Sequence, residues 1–479
     1  MKKVFVHFTV GLGFLALSCN ITIGTPYSKA RAETFGSSEV TQYGITWTFD
    51  QAYQTGQFAN GDYWVVGPVT IIGISPGSTV LSSGRVVSGS MINPKPGWDQ
   101  GYDSDIYSGK YEPQYVPALN AGRPNGQSLS PSNPLVISQP ASLVTGVSYT
   151  NHPAGEANQV HLMAVLTVLA SVPPAGAFRP PFTGTDKTIR HTTADLDYTR
   201  LPTLAVPSGV SPPNLASTSA DFQKLWPDHM LNWYKEPFLP KDNMPNYGRD
   251  VANLVGDGAL LLVLGPNTSD KQLLALRMVQ IGLDIYGLVQ QPDGDILYTA
   301  NGGHSCGRAF PMVLAGHVLH DQAILDVMAK AGQYAYQNGH YEGNLPSDMI
   351  QFQELDQTFY VTSRDVARTN GPSWNPDTRT PTTRYTTADI GLADWGITHA
   401  VTPEADNASW QANYRSLNSY AWSGFVLAAR IMGMKDLFNQ PALFDYMDRW
   451  MSTGYALSGE SRSLSEFQDQ MWTRLRSSY

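Results

Sequence analysis

The chain has 479 residues, a formal charge of −9 at neutral pH, 15% charged residues and 11% aromatics. That length exceeds one ordinary core and so few charges exclude a charge-driven disordered chain, so the sequence predicts a globular protein of two or three domains. The acidic balance argues against non-specific nucleic-acid binding, which needs a basic surface to displace counterions from phosphates.

Lys2 and Lys3 precede an apolar run from Val4 to Cys19, and Ala30-Arg31-Ala32 offers small residues at −3 and −1 of a cleavage site. Residues 1–32 therefore read as a signal peptide, and export to the periplasm or beyond is expected. The segment holds Lys2, Lys3, Lys29 and Arg31 and no acid, so its removal takes the formal charge from −9 to −13. The run is short for a membrane span, and no later run is expected to span. Without Cys19 the chain keeps only Cys306, which leaves no intramolecular disulfide and reads as a buried, inert thiol.

Residues 33–206 read as a β-domain, a sandwich or a barrel, and a β-sandwich is expected. ITWTFD, DYWVVGPVTIIGIS, GRVVSGSMI, PLVISQ and ASLVTGVSY are short runs rich in Val, Ile, Thr and Tyr, broken by Gly, Pro, Asn and Ser. VHLMAVLTVLASV (160–172) is apolar throughout; its β-branched content and the Pro173-Pro174 stop favour a central strand over a helix. A Pro- and Ser-rich linker follows at 207–218. From 219 to 479 the pattern turns helical, with segments near 249–264, 269–291, 306–319, 321–337, 410–432, 436–451 and 463–476. Ser269 with Gln272 is expected to cap the second of these. Short links imply antiparallel helical hairpins, which would make either a bundle or a ring, and their number suggests the ring, an α/α-toroid. The helical pattern lapses between about Asn338 and Ser409, and a long irregular interval of this kind is usually functional.

The sharpest local signal is Asn301-Gly302-Gly303-His304-Ser305-Cys306-Gly307-Arg308, where a glycine turn enters a helix. It lacks the features of a phosphate loop. His304, Cys306, His317 and His320 lie close in sequence, but their spacing is not that of a metalloprotease and no metal is expected. Glu342, Asp348, Glu354, Asp356, Asp389 and Asp394 populate the irregular interval, and a pair of such acids could serve as acid and base in glycoside hydrolysis. Arg179, Lys187, Arg190 and His191 cluster in FRPPFTGTDKTIRH, while Arg249, Arg308, Arg384 and Arg415 punctuate the helical half; guanidinium groups read carboxylates or sulfates bidentately. Trp374, Trp395, Trp410, Tyr360, Tyr385 and Tyr414 offer rings that could stack on sugars.

An exported chain with a β-domain first, helical hairpins second and loops rich in arginine and aromatics resembles bacterial carbohydrate-active enzymes of the α/α-toroid class. Asn301, His304 and Arg308 are similar in residue type to the Asn-His-Arg sets of toroid polysaccharide lyases, in which Tyr360 or Tyr385 would supply the tyrosine. The resemblance implies β-elimination at a uronic acid without a cofactor: Asn301 and Arg308 neutralise the carboxylate, His304 takes the C5 proton and the tyrosine protonates the leaving oxygen. Arg249, Arg190, Lys187, Trp374 and His399 would be further substrate contacts, and the partner would be an anionic polysaccharide. A toroid hydrolase using two of Glu342, Glu354, Asp356, Asp389 and Asp394, or a non-catalytic glycan-binding envelope protein, are the alternatives.

Overall fold

The computed structural model describes residues 35–104, 114–151, 158–338, 349–376, 381–396, 407–412 and 414–479. The expected signal peptide lies outside the described residues, as do Glu342, Asp348 and His399. The chain is of mixed type, with a curled sheet in the N-terminal region and helices in the C-terminal region.

Eight strands form one hydrogen-bonded sheet: β1 (Phe35–Gln42), β2 (Ile45–Gln57), β3 (Tyr63–Val66), β4 (Val69–Ser75), β7 (Ser90–Ile92), β10 (Leu135–Ile137), β11 (Ala141–Ser148) and β12 (Val160–Leu169). Short pairs join β5 (Thr79–Val80) to β6 (Val86–Val87) and β8 (Asp99–Gln100) to β9 (Gln114–Tyr115). The main order is β10-β4-β2-β3-β12-β11-β7, with β1 beside β2; β3 and β12 run parallel and the other neighbours antiparallel. Successive side chains of a strand point to opposite faces. On β12, Ala164, Leu166 and Val168 join Ile45, Trp47, Phe49, Ile71 and Leu143 in the sheet's own core, while Met163 and Val165 turn toward the helices. Two apolar environments thus explain why this strand reads as apolar throughout.

The last strand of this sheet ends at Leu169, and the chain then lies against the helices, burying Phe178, Phe182, Leu196 and Leu201 in their core. The principal helices are α1 (Leu215–Asp221), α2 (Gly248–Val263), α3 (Ser269–Val289), α4 (Ala309–Leu319), α5 (Gln322–Asn338), α6 (Gln353–Asp356), α7 (Ser363–Asn370), α8 (Arg415–Ser419), α9 (Ser423–Ile431), α10 (Pro441–Arg449), α11 (Tyr455–Ser458) and α12 (Glu466–Leu475). α2 packs on α9, α3 on α4 and α4 on α5. Every residue of α4 is buried, as expected of a helix apolar on all sides. α3 is capped by Thr268, whose side chain accepts from Lys271 N, rather than by Ser269. By length and composition α3 could cross a membrane, contrary to the expectation that no later run would; most of it is buried inside the fold. Within the irregular interval, β13 (Thr358–Tyr360) pairs with β14 (Ala393–Trp395).

Arg179 ties the two regions together. Its Nε lies 2.6 Å from Asp62, between β2 and β3, and its Nη1 and Nη2 lie 2.9 and 2.5 Å from the two carboxylate oxygens of Asp284 on α3. All three side chains are buried. Burial opposes the arginine's charge, yet Asp284 and then Asp62 hold it protonated beyond the ordinary arginine range.

Candidate functional site

The glycine turn predicted around His304 is built against the start of α2 and against α8. Gly302, Gly303 and Gly307 have φ values of 61°, 129° and 84°, which favour residues without a Cβ. A Cβ on Gly303 would sit 2.0 Å from Asn418 Oδ1, and one on Gly248 would sit 1.8 Å from Gly303 O. Asn418 on α8 donates to Gly302 O at 2.7 Å and to Tyr414 O at 2.8 Å, so one amide side chain fixes both backbone segments. Beneath the turn, Gln353 Oε1 accepts from Ser305 N at 2.8 Å.

This framework leaves His304 partly exposed, with two further stretches of chain, 232–238 and 247–250, beside it. Glu236 comes from the 3-10 helix Asn232–Phe238, with Oε2 3.9 Å from His304 Nδ1, inside ion-pair range and beyond hydrogen-bond length. Tyr247, the residue before α2, sets its ring edge-on to the imidazole with centroids 5.0 Å apart, and its hydroxyl makes a long 3.4 Å bond to Gly302 O. The Arg249 guanidinium lies 5.3 Å from the Tyr247 ring centroid and 3.6 Å from Asp250.

The environment shifts these groups' protonation. Burial, followed by the charge of Asp250, pushes the Glu236 carboxyl up to about 7. Burial likewise raises Asp250, against the opposing pull of Arg249. Tyr247 is raised above the ordinary tyrosine range, chiefly by burial, and keeps its proton at any physiological pH. The cluster therefore holds a histidine, a carboxyl group raised to about 7, a protonated phenol and a cation. Groups with such shifted protonation are suited to moving protons.

The other predicted residues lie in different settings. Asn301 is half-buried and shapes the turn, its carbonyl accepting from His304 N at 3.0 Å. Arg308 does not join this cluster: it is fully buried, with Nε 2.8 Å from Asp228 and Nη1 donating to Cys306 O. The Tyr360 hydroxyl donates to Asp445, and that of Tyr385 donates to Asp394 at 3.2 Å while Arg415 Nη2 donates to it at 3.2 Å. Both tyrosines are engaged with carboxylates, and the tyrosine against His304 is Tyr247. Arg190 is exposed and pairs with Asp186. Lys187 is buried, donating to Pro181 O and Thr183 O, and burial brings its ammonium down to about 7. Trp374 stacks with Arg384, whose guanidinium lies 4.1 Å from its ring centroid.

Among the acids proposed for hydrolysis, Glu354 is fully buried and caps α4, accepting from Ala309 N at 2.9 Å. Asp356 is also buried, and burial plus the neighbouring Glu354 hold its carboxyl well above the usual range. Asp389 closes a capping box with Thr386, and Asp394 is buried against Arg415 at 2.9 Å. Glu354, Asp389 and Asp394 thus have partners within the fold, whereas Asp356 Oδ2 and Glu354 Oε2 are buried without a hydrogen-bond partner. Cys306 is buried, and burial raises its thiol. His317 contacts Arg200, and His320 contacts Asp197. Among the described residues, no group of three or more His, Cys, Asp and Glu is arranged to hold a metal ion.

Glu236, Tyr247 and Asn418 are not singled out by the sequence. The strings Asn232-Trp-Tyr-Lys-Glu-Pro-Phe and Tyr247-Gly-Arg-Asp carry a weak signal, an aromatic residue beside an acid near a helix start. Comparison with protein-family models, with curated proteins and with solved structures finds no match to this chain.

Proposed function

We propose that the chain is an exported enzyme that cleaves a uronic acid-containing polysaccharide by β-elimination in the His304 cleft. The observation that carries this reading is the contact of His304 with Tyr247, a protonated phenol whose ring also carries Arg249. Arg249 would neutralise the C6 carboxylate and so acidify the C5 proton. His304 takes that proton, the freed electron pair forms the C4–C5 double bond, and the C4–oxygen bond breaks. Tyr247 gives its proton to the departing oxygen. Ionised Glu236, 3.9 Å from Nδ1, would stabilise the imidazolium that forms. The chemistry calls for no cofactor. In the same reading the curled sheet belongs to a β-sandwich and the helices to an α/α-toroid, the architecture that the sequence resemblance implies.

Incubation with alginate, glucuronan and hyaluronan should raise ultraviolet absorbance through the new double bond; a panel that yields no unsaturated product contradicts elimination. The neutral-range carboxyl of Glu236 beside Asp250 favours a second reading, glycoside hydrolysis with Glu236 as the general acid. New reducing ends without ultraviolet absorbance would select it.

A further inference from the structure

The reading above accounts for the groups at His304 but not for an aromatic line that leads away from them. In a 3-10 helix, residues three apart share a face, so Trp233 lies above Glu236 while Lys235 and Phe238 point inward together. Lys235 is buried and donates to Leu297 O. Tyr234 stacks on Trp233 with ring centroids 4.3 Å apart and planes 25° from parallel. Trp98, from the N-terminal region, meets Tyr234 edge-on at 4.8 Å and 87°.

Trp98 is 44% exposed, the only tryptophan among the exposed large apolar side chains of the described residues. Its position is fixed by backbone rather than by burial: Gly97 N donates to His229 O at 3.1 Å, and Leu231 N donates to Gly97 O at 3.2 Å. The loop bearing Trp98 is thus tied to the strand-like stretch that enters the helix of Glu236. Beside it lies a groove of about 450 Å³, whose walls include Lys95, Asp99 and Asp293.

We propose that Trp98, Tyr234 and Trp233 form a rail that binds the pyranose rings next to the one held at His304, so that the N-terminal region contributes to substrate binding. A pyranose has an apolar C–H face that stacks on an aromatic ring and a rim of hydroxyls that hydrogen-bond to carboxylates. The groove offers both beside Trp98, with Asp99 and Asp293 in its walls. An apolar peptide or an acyl chain would leave those carboxylates unpaired on desolvation. Continuity with Glu236 commits the rail to the same glycan chain that the cleft holds, and it rests on the carbohydrate reading of that cleft.

The test is calorimetric binding of disaccharides and hexasaccharides of alginate, glucuronan and hyaluronan to the His304→Ala protein, with and without Trp98→Ala. The rail predicts that hexasaccharides bind more tightly than disaccharides, and that Trp98→Ala reduces this advantage by about 2- to 10-fold, as loss of one aromatic contact implies. Trp98→Phe should restore most of it. An unchanged advantage in Trp98→Ala, while the native protein still forms unsaturated product, overturns the rail and leaves the elimination reading standing. Binding that weakens in Trp98→Ala while no polymer yields unsaturated product supports the rail and overturns elimination.

Discussion

At His304 the proposed chemistry turns on a carboxyl group raised to about 7. Glu236 rises from an ordinary value of 4.5 to about 7 because burial and Asp250 disfavour its charge. The folded state therefore binds its proton more tightly than the unfolded state does. Stability falls as pH rises from about 4.5 to about 7 and does not fall further above that from this group. Glu236→Gln, which cannot ionise, should flatten that part of the stability–pH curve in chemical denaturation at a series of pH values. It should also remove a limb of the rate profile. Elimination needs the ionised carboxylate beside the imidazole, so kcat/KM rises with pH through about 7 in the native protein; a hydrolase using Glu236 as acid would lose rate over the same range.

Among the elements, the turn at 301–308 and α4 act as one unit. Arg308 and Asp228 are both buried, with the guanidinium 2.8 Å from the carboxylate. Arg308→Met leaves a buried carboxylate without its partner, a loss expected at about 3–5 kcal/mol and readable as a lowered denaturant midpoint. A substrate-facing arginine replaced in this way would raise KM with little change in stability, so the two measurements separate the roles. The sequence could not distinguish these cases, because Asp228 lies 80 positions away and a paired arginine looks like a ligand-binding one. Long separation also hid Tyr247 and Glu236, which meet His304 only through tertiary contact. Local pattern served the elements better. The predicted strands at 45–50, 141–149 and 160–172 and the predicted helices at 249–264, 269–291 and 321–337 each fall on an observed element of that type, because their side chains repeat with the period of the face they bury. The cap of α3 was misplaced by one residue because Thr268 and Ser269 are both competent caps.

For the whole molecule, the joint between sheet and helices rests on a shared core and on the Asp62–Arg179–Asp284 triad. Arg179→Met should destabilise the protein by about 3–5 kcal/mol, since two buried carboxylates lose their common partner. Adding Asp62→Asn and Asp284→Asn should recover part of that loss, a coupling that thermal melts of the single and combined variants would reveal. Residue pattern separates a sheet region from a helical region, but nothing in it marks residues 178–201 as packing on the helices, because their apolar side chains have no period. The claim that depends on all of this is that the His304 cleft eliminates. The most direct measurement is the ultraviolet absorbance produced from uronic acid polymers by the native protein, His304→Ala and Tyr247→Phe. The native protein is predicted to generate absorbance on at least one polymer, His304→Ala to abolish it, and Tyr247→Phe to slow it by about 100-fold or more. Native-like rates in His304→Ala, or no absorbance from the native protein on any polymer, would contradict it.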